Sequence, residues 1–449
     1  MTQVTITRRR FQGFRLLAFI FLLSPVTGQS ADMSGTAAPT TGVPTGAAQQ
    51  GKVFTLEEAV RIGLENQSTI KSAQYQIRAQ DAVLHQQMSL YYPTVSFSNT
   101  YRTLAASISS SGGLRGVDAF SATGNASMTL YNFGKREGTV QSARDTLEAT
   151  EYAYHATANN VVLSVKQAYY GVVQANALLR VSEETVKDRE ELLRQSQGFY
   201  DVGTKPKSDL TQAQANLYIA QANLILARNS VDIAWATLIN AMGVDDYPRS
   251  PLADELSVTP FTMSLDEAKK EAFSARPELR QFQSLLKAED QQIAVARRSH
   301  LPDFLFSSIF SRESSTGQLP HNNWQVQLNF NIPIFNGFQT TYQVQQAMNL
   351  YYSIREQERV ERQQVALQVE QNYLNVVATQ EAVKANEAAV KAAKENLELH
   401  EGRYQVGYAP IVEVTDAQTT YIVAQVGYIN ALVSYKVAMA QLVNAMGGQ

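Results

Sequence analysis

The 449-residue chain contains no cysteine. This excludes disulfide scaffolds, thiolate zinc sites, iron–sulfur clusters, cysteine nucleophiles and a lipid-modified N-terminal cysteine. Thirteen prolines and twenty-four glycines are too few for a collagen-like or wholly disordered chain. Charged residues make up 18%, against ~25% in an average domain, and Ala, Gln, Ser, Thr and Asn fill the deficit. A net charge of −3 gives no basis for a nucleic-acid partner. The histidines (His85, His155, His300, His321, His400) lack metal-ligand spacing, and no Gly-rich phosphate loop or nucleophile elbow occurs. Neither an enzyme, a cofactor nor a metal is therefore expected. After the N-terminus no run reaches eighteen apolar residues, so no transmembrane helix is expected. Length alone, as a prior, suggests about three domains.

The first segment reads as an address. Arg8, Arg9, Arg10 and Arg15 precede the apolar run Leu16–Leu23, and small residues follow in Ser24–Ala31. That order predicts a secretory signal peptide over residues 1–31, cleaved near Gly28 or Ala31. The run falls short of the ~20 residues needed to span a bilayer. Its removal leaves 34 basic against 41 acidic residues, a balance of −7. Residues 32–51, rich in Gly, Ala, Thr and Pro, predict a flexible leader.

The remainder is written twice. Thr55-Leu-Glu-Glu-Ala59 recurs as Ser264-Leu-Asp-Glu-Ala268, and Tyr92-Pro93 as Leu301-Pro302. Leu130-Tyr-Asn132 matches Ile334-Phe-Asn336. The segment Gly198–Gly243 aligns without a gap to Gly402–Gly447, with 20 of 46 positions identical. Both copies close on Asn-Ala-Met-Gly. A first repeat over 52–243, a linker over 244–262 and a second repeat over 263–447 follow. Each repeat predicts a short helix, a longer helix, two strands, a very long helix and a last long helix.

The long helix of the first repeat is expected from about Gly134 to Tyr200, roughly 100 Å at 1.5 Å per residue. Val161, Val165, Ala168, Val172, Ala175 and Leu179 step along it at heptad spacing. On the returning helix Leu210, Leu217, Leu224, Val231 and Leu238 alternate with Ala213, Ala220, Ala227, Ala234 and Ala241. The second repeat alternates Val414, Tyr421, Tyr428, Tyr435 and Leu442 with Ala417, Ala424, Ala431, Ala438 and Ala445. One large and one small residue per heptad lets helices approach closely, so coiled coils are expected to fill most of the mass.

Strands are expected at 93–104, 121–132, 302–311 and 323–334. The clearest runs from Trp324 to Ile334: Trp324, Val326, Leu328, Phe330, Ile332 and Ile334 alternate with Gln325, Gln327, Asn329, Asn331 and Pro333. Its length fits a tilted membrane strand of about 9–11 residues. A soluble sandwich also alternates, but four strands separated by ~70-residue helices make a poor one. Four strands cannot close a barrel, and lipid does not tolerate an open sheet edge, so several chains must contribute. Two chains give eight strands and three give twelve. An eight-stranded barrel is filled by its own side chains, so twelve is the better reading for a pore. The expected outer loops are Ala106–Gly116 and Arg312–Asn322.

This duplicated helix–strand–strand–helix plan resembles the TolC family of bacterial outer-membrane efflux proteins. The resemblance spans Phe54 to Gly447. It rests on the Leu-Glu-Glu-Ala starts, the strand exits Tyr131-Asn-Phe-Gly134 and Phe335-Asn-Gly337, and the Tyr-x-Val-Gly turns at both helix hairpins. It implies a membrane α+β fold: a homotrimer with a 12-stranded outer-membrane β-barrel, four strands per chain, continued by a long α-helical coiled-coil tunnel in the periplasm. It also implies a periplasmic adaptor and an inner-membrane pump as partners, with the barrel held in outer-membrane lipid. The cysteine that lipidates some members is missing.

The hairpins read Tyr200-Asp-Val-Gly-Thr-Lys-Pro206 and Tyr404-Gln-Val-Gly-Tyr-Ala-Pro410. Ordinary hairpin grammar already accounts for their Gly and Pro. By resemblance, Val202, Gly203, Thr204, Val406, Gly407 and Tyr408 contact the adaptor. Asp209, Glu413 and Asp416 lie near helix starts, where the helix dipole favours acids. Glu413 and Asp416 share a helix face, so three chains would present acidic rings that favour cations. The family also implies gate links, with Asp209 bonding Tyr404 across the periplasmic gate. Its partner arginine is replaced by Ala409, with Lys205 or Lys207 as substitutes. The expected function is a passive exit duct for efflux or type I secretion, the pump selecting the cargo. The alternative from another class is a periplasmic or secreted coiled-coil scaffold without a pore, which has no use for four lipid-length strands.

Overall fold

The computed structural model describes residues 53–107, 114–253, 256–316 and 319–448, with side chains for all of these except 104–107 and 114–115. The expected signal peptide, the leader and the tip of the first outer loop (108–113) lie outside the described residues.

Each repeat opens on a capped short helix. The Thr55 hydroxyl accepts from the Glu58 amide at the start of α1 (Leu56–Asn66). Ser264 and Glu267 cap one another reciprocally at the start of α5 (Leu265–Ala275). This satisfies otherwise orphaned first-turn amides and gives the repeated Leu-Glu/Asp-Glu-Ala start its physical reason. Helices α2 (Ser68–Met88) and α6 (Pro277–Arg298) then lead to the sheet, and α3 (Lys135–Asp201) and α7 (Gln339–Gln405) leave it. Both departing helices have 67 residues, roughly 100 Å of rod. They return as α4 (Lys207–Met242) and α8 (Ile411–Ala445).

The heptad stripes are where the helices meet. Val161, Val165, Ala168, Val172 and Ala175 of α3 are buried, as are Leu210, Ala213, Leu217, Ala220, Leu238 and Ala241 of α4. One core gathers Phe54, Tyr169, Trp235, Leu238 and Met242 between α1, α3 and α4. Its counterpart gathers Ala268, Val365, Val369, Tyr435 and Leu442 between α5, α7 and α8. The shared Asn-Ala-Met-Gly endings each seat against the junction of the first two helices of their own repeat. A Cβ on Gly243 would stand 2.6 Å from Gln67 Cα, between α1 and α2, and one on Gly447 2.9 Å from the Ala275 carbonyl carbon. By length and composition α8 passes as a membrane span. It carries Glu413, Asp416 and Lys436, however, and buries Tyr435 and Leu442 against α7, so it is a coiled-coil helix.

The strands β1 (Thr94–Ser107), β2 (Leu114–Tyr131), β3 (Asp303–Ser315) and β4 (His321–Asn331) form one antiparallel sheet in that order. Pairing of β2 with β3 fuses the two repeats into a continuous surface. The register puts Val95, Phe97 and Tyr101 on one face with Ala126, Met128, Phe306, Phe310, Trp324, Val326, Leu328 and Phe330. The other face carries Ser96, Ser98, Thr100, Thr123, Asn125, Ser307, Gln325, Gln327 and Asn329, with Val117, Leu305 and Ile309 as apolar exceptions. The apolar face is open: Val95 is 78% exposed, Trp324 76% and Leu328 75%. A sandwich would bury them. Aromatic rings mark both ends of the apolar band. Tyr131, Phe133, Phe304 and Phe330 form a chain of ring contacts at the helix end, and Tyr101, Phe120, Phe310 and Trp324 lie on paired positions towards the loops.

Strand β4 stops at Asn331, three residues short of the expected Ile334. Pro333 has no N–H to donate to a ladder, which explains the stop. The other strands run further into the expected loops, because β1–β2 pairing continues unbroken to Ser107↔Leu114 and β3 to Ser315. Weak alternation conceals length that backbone pairing can still use.

Candidate functional site

The two hairpins end in the same turn. After α3, Gly203 at φ +74° donates to the Tyr200 carbonyl at 2.9 Å, and the Thr204 amide donates to Phe199 at 2.9 Å. After α7, Gly407 at φ +84° donates to Tyr404 at 3.0 Å, and the Tyr408 amide donates to Arg403 at 2.9 Å. These paired bonds close the helix ends, and the left-handed position favours glycine. Pro206 and Pro410 then cap α4 and α8 in extended conformation. The turns leave Val202, Val406 and Tyr408 with 72%, 67% and 81% of their surface exposed, beside exposed Gly203, Thr204 and Gly407.

Behind these tips the hairpins hold each other. Leu192, Ala213, Tyr404, Ala409, Ile411 and Val414 form one buried cluster, with Phe199 packed edge-on against Tyr404 at 5.6 Å. The Tyr404 hydroxyl lies 3.1 Å from Ser196 Oγ on α3. Within the single chain the partner of this hydroxyl is Ser196, and Asp209 acts on it through its charge. Burial pushes the Tyr404 phenol up from its ordinary pKa; the Ser196 bond pulls it down, and the charge of Asp209 pushes it further up. Lys205 supplies the cross-hairpin cation. Its Nζ donates to the Ala409 carbonyl at 3.1 Å and sits 5.5 Å from the centre of the Tyr404 ring. Backbone thus receives the bond where the family's arginine side chain is missing.

The acids divide. Glu413 lies 3.2 Å from both His400 Nδ1 and Arg403 Nη1 of α7. Asp416 is exposed, one turn further along α8. The pair therefore does not present two equal charges, because a cation accompanies the first.

A polar layer deeper in the rod was not anticipated. Arg189 of α3, 7% exposed, donates to Gln418 Oε1 of α8 at 2.6 Å. Gln418 in turn donates to Glu401 of α7 at 3.4 Å. Burial lowers the Arg189 pKa, and Asp188 partly restores it. Asp188 and Glu401 are both raised, mainly by burial. The sequence did carry a signal: continuing the α3 heptad past Leu179 reaches Ser182, Val186, Arg189, Leu193 and Ser196. The two polar residues that bond across helices, Arg189 and Ser196, are core positions of that stripe.

Residues 60–244 and 269–448 match the outer membrane efflux protein family. The chain is 26% identical over 432 residues to the probable efflux pump outer membrane protein TtgC of Pseudomonas putida, covering 91% of this chain and 87% of that protein. It is 26% identical over 368 residues to the outer membrane protein TolC of Escherichia coli, covering 78% and 72%. The fold matches the crystal structure of the Campylobacter jejuni CmeC outer membrane channel with a TM-score of 0.73 at 20% identity, covering 88% of this chain and 85% of that one. With its duplicated hairpins and its two-faced sheet, the chain belongs to the outer membrane efflux protein family and is a TolC-like outer-membrane channel with a periplasmic helical tunnel.

Proposed function

We propose that three copies of the chain close a twelve-stranded barrel in the outer membrane, and that their hairpins gate the periplasmic mouth of an exit duct. The carrying observation is a four-stranded sheet with one exposed apolar face, one polar face and two edges, β1 and β4, unpaired among the described residues. Lipid forbids such edges, so β4 of one protomer joins β1 of the next. Twelve strands leave a lumen that the polar face lines. Cargo enters from an inner-membrane pump through a periplasmic adaptor. The adaptor docks on the exposed turns Val202-Gly203-Thr204 and Val406-Gly407-Tyr408.

In the closed state each protomer's hairpins are latched by Lys205 on Ala409 and by Tyr404 on Ser196. Asp209 sits beside that latch, and Asp416, with Glu413 behind it, supplies negative charge at the mouth. The function is transport, with no chemical step. Heat-resistant trimers in outer-membrane fractions that conduct ions in planar bilayers are the expected result. Fully water-soluble protein without conductance contradicts the reading.

A further inference from the structure

Arg297 and Arg298 close the last turn of α6, and the structure gives them different tasks. Arg298 donates to the Gly134 carbonyl at 2.9 Å and ties α6 to the start of α3. Arg297 makes no hydrogen bond or ion pair among the described residues and lines a cavity of about 580 Å³. His300, Ile334, Phe335, Phe338, Thr340 and Thr341 are among the residues that line it, and Asn336 Nδ2 donates to the Thr340 hydroxyl at 2.6 Å. Phe335 and Phe338 meet edge-on at 5.5 Å, yet 75% and 62% of their surfaces are exposed. Phe338 is held at φ +64°, a conformation that costs a bulky residue energy and that glycine would adopt freely. The other strand exit makes the same corner, with Phe133 at φ +56° and Gly134 at φ +83°, so the strain belongs to the repeated strand-to-helix turn, which leaves the Phe338 ring largely exposed.

The cavity sits at the boundary of the lipid-facing surface. Ile332 and Ile334 continue the apolar series Trp324, Val326, Leu328, Phe330 beyond the last strand residue, and Ile334 is 94% exposed. The cavity therefore opens just below the aromatic chain Phe133–Phe304–Phe330, at the level where a bilayer changes from acyl chains to headgroups. An unpaired guanidinium and an imidazole beside exposed aromatic rings are complementary to a phosphate with an acyl chain attached.

We propose that this cavity is a binding site for the phosphodiester headgroup of an anionic glycerophospholipid in the inner leaflet of the outer membrane. Arg297 and His300 receive the phosphate, Thr340 and Thr341 bond its oxygens, and Ile334, Phe335 and Phe338 cover the first part of the acyl chain. The site rests on the outer-membrane placement of the sheet and is separate from the hairpin gate. It would pin the rim of the barrel to the top of the tunnel where β4 ends and α7 begins.

The test uses the full-length trimer in detergent, titrated by native mass spectrometry with phosphatidylglycerol, with phosphatidylcholine of the same chains, and with inorganic phosphate as competitor. Phosphatidylglycerol should bind several-fold more tightly than phosphatidylcholine. Arg297→Gln should weaken it about fivefold, matching ~1 kcal/mol per basic residue at an anionic surface, and Arg297→Lys should restore most of the loss. Equal binding of the two lipids, or no effect of Arg297→Gln, overturns the proposal. Displacement of the lipid by millimolar inorganic phosphate overturns it too, since the site is then a plain anion pocket. A photo-crosslinking phenylalanine analogue at position 338 gives an independent readout in membranes. Cross-links to lipid support the site, and cross-links to a neighbouring protomer overturn it by showing protein in the cavity. Trimer yield and conductance, measured alongside, report failure of the channel reading itself.

Discussion

Lys205 and Ala409 occupy equivalent places in the two repeats, 204 residues apart, and the lysine ammonium closes on the alanine carbonyl at 3.1 Å. Duplication supplied two matching turns, and a lysine in one reaches the backbone of the other. Lys205→Met keeps the stem and removes the charge. A half-exposed charged bond of this kind is worth about 1 kcal/mol per protomer, so ~3 kcal/mol for three moves an open–closed equilibrium on the order of 100-fold. Planar-bilayer recordings should show more frequent and longer full openings for this variant.

Tyr404→Phe removes only the hydroxyl that meets Ser196 at 3.1 Å. Leakage should rise less than with Lys205→Met, because the ring stays packed on Phe199. The pH response carries a sign. The phenol is raised in the folded state, so its contribution is complete below the unfolded value near ~10 and fades as pH climbs through the folded value. Hydrogen exchange at the hairpins should accelerate above that point in the parent chain, and less steeply in Tyr404→Phe.

Asp416 should govern ion selectivity more than Glu413, whose charge is partly offset by Arg403 and His400 at 3.2 Å. Reversal potentials in a salt gradient should shift towards non-selectivity with Asp416→Ala and move less with Glu413→Ala. If the double variant is as cation-selective as the parent, the acidic mouth is disproved.

The Arg189–Gln418 layer predicts a non-additive pair. Gln418→Leu takes the 2.6 Å acceptor from a buried guanidinium, leaving it only Thr419 Oγ1 at 3.5 Å, and should cost ~3 kcal/mol, whereas adding Arg189→Met should recover most of that. Trimer dissociation temperatures measure both. Asp188 and Glu401 are raised by burial, so the layer holds best below about pH 4 and loosens as pH rises through their folded values. Glu401→Gln should reproduce the acid state at neutral pH, seen as slower exchange in residues 397–425.

Leu328 and Gln327 are neighbours on opposite faces of β4. Leu328→Arg puts a charge on the lipid face, where it costs about 2–4 kcal/mol near the midplane, while lumen positions tolerate charge. Yield of heat-resistant trimer should collapse for Leu328→Arg and persist for Gln327→Lys, the latter with altered conductance.

Sequence periodicity reached most of this architecture, because both elements repeat on their own terms. Trp324–Phe330 reads as a strand by alternation, and Val161–Leu179 as a coiled coil by heptad. What it missed depends on contacts between distant segments. Nothing local says that Thr123 pairs with Ser311, or that Tyr404 meets Ser196. Stopping the α3 heptad at Leu179 hid Arg189 and Ser196, since polar residues on a core stripe look like its end. The Pro333 stop was legible but outweighed by the apolar Ile334 beyond it.

The chain's lack of cysteine permits the most direct test of the central claim. Single cysteines on the polar face of β1 (Ser96, Ser98) and of β4 (Gln327, Asn329) can be combined in pairs and oxidised in native membranes. Closure by three chains predicts at least one pair that converts monomer through linear dimer to a covalent trimer with nothing larger, while two cysteines both on β1 give none. Cross-linking that ends at a dimer, or no cross-linking between β1 and β4 in any pairing, contradicts a twelve-stranded barrel.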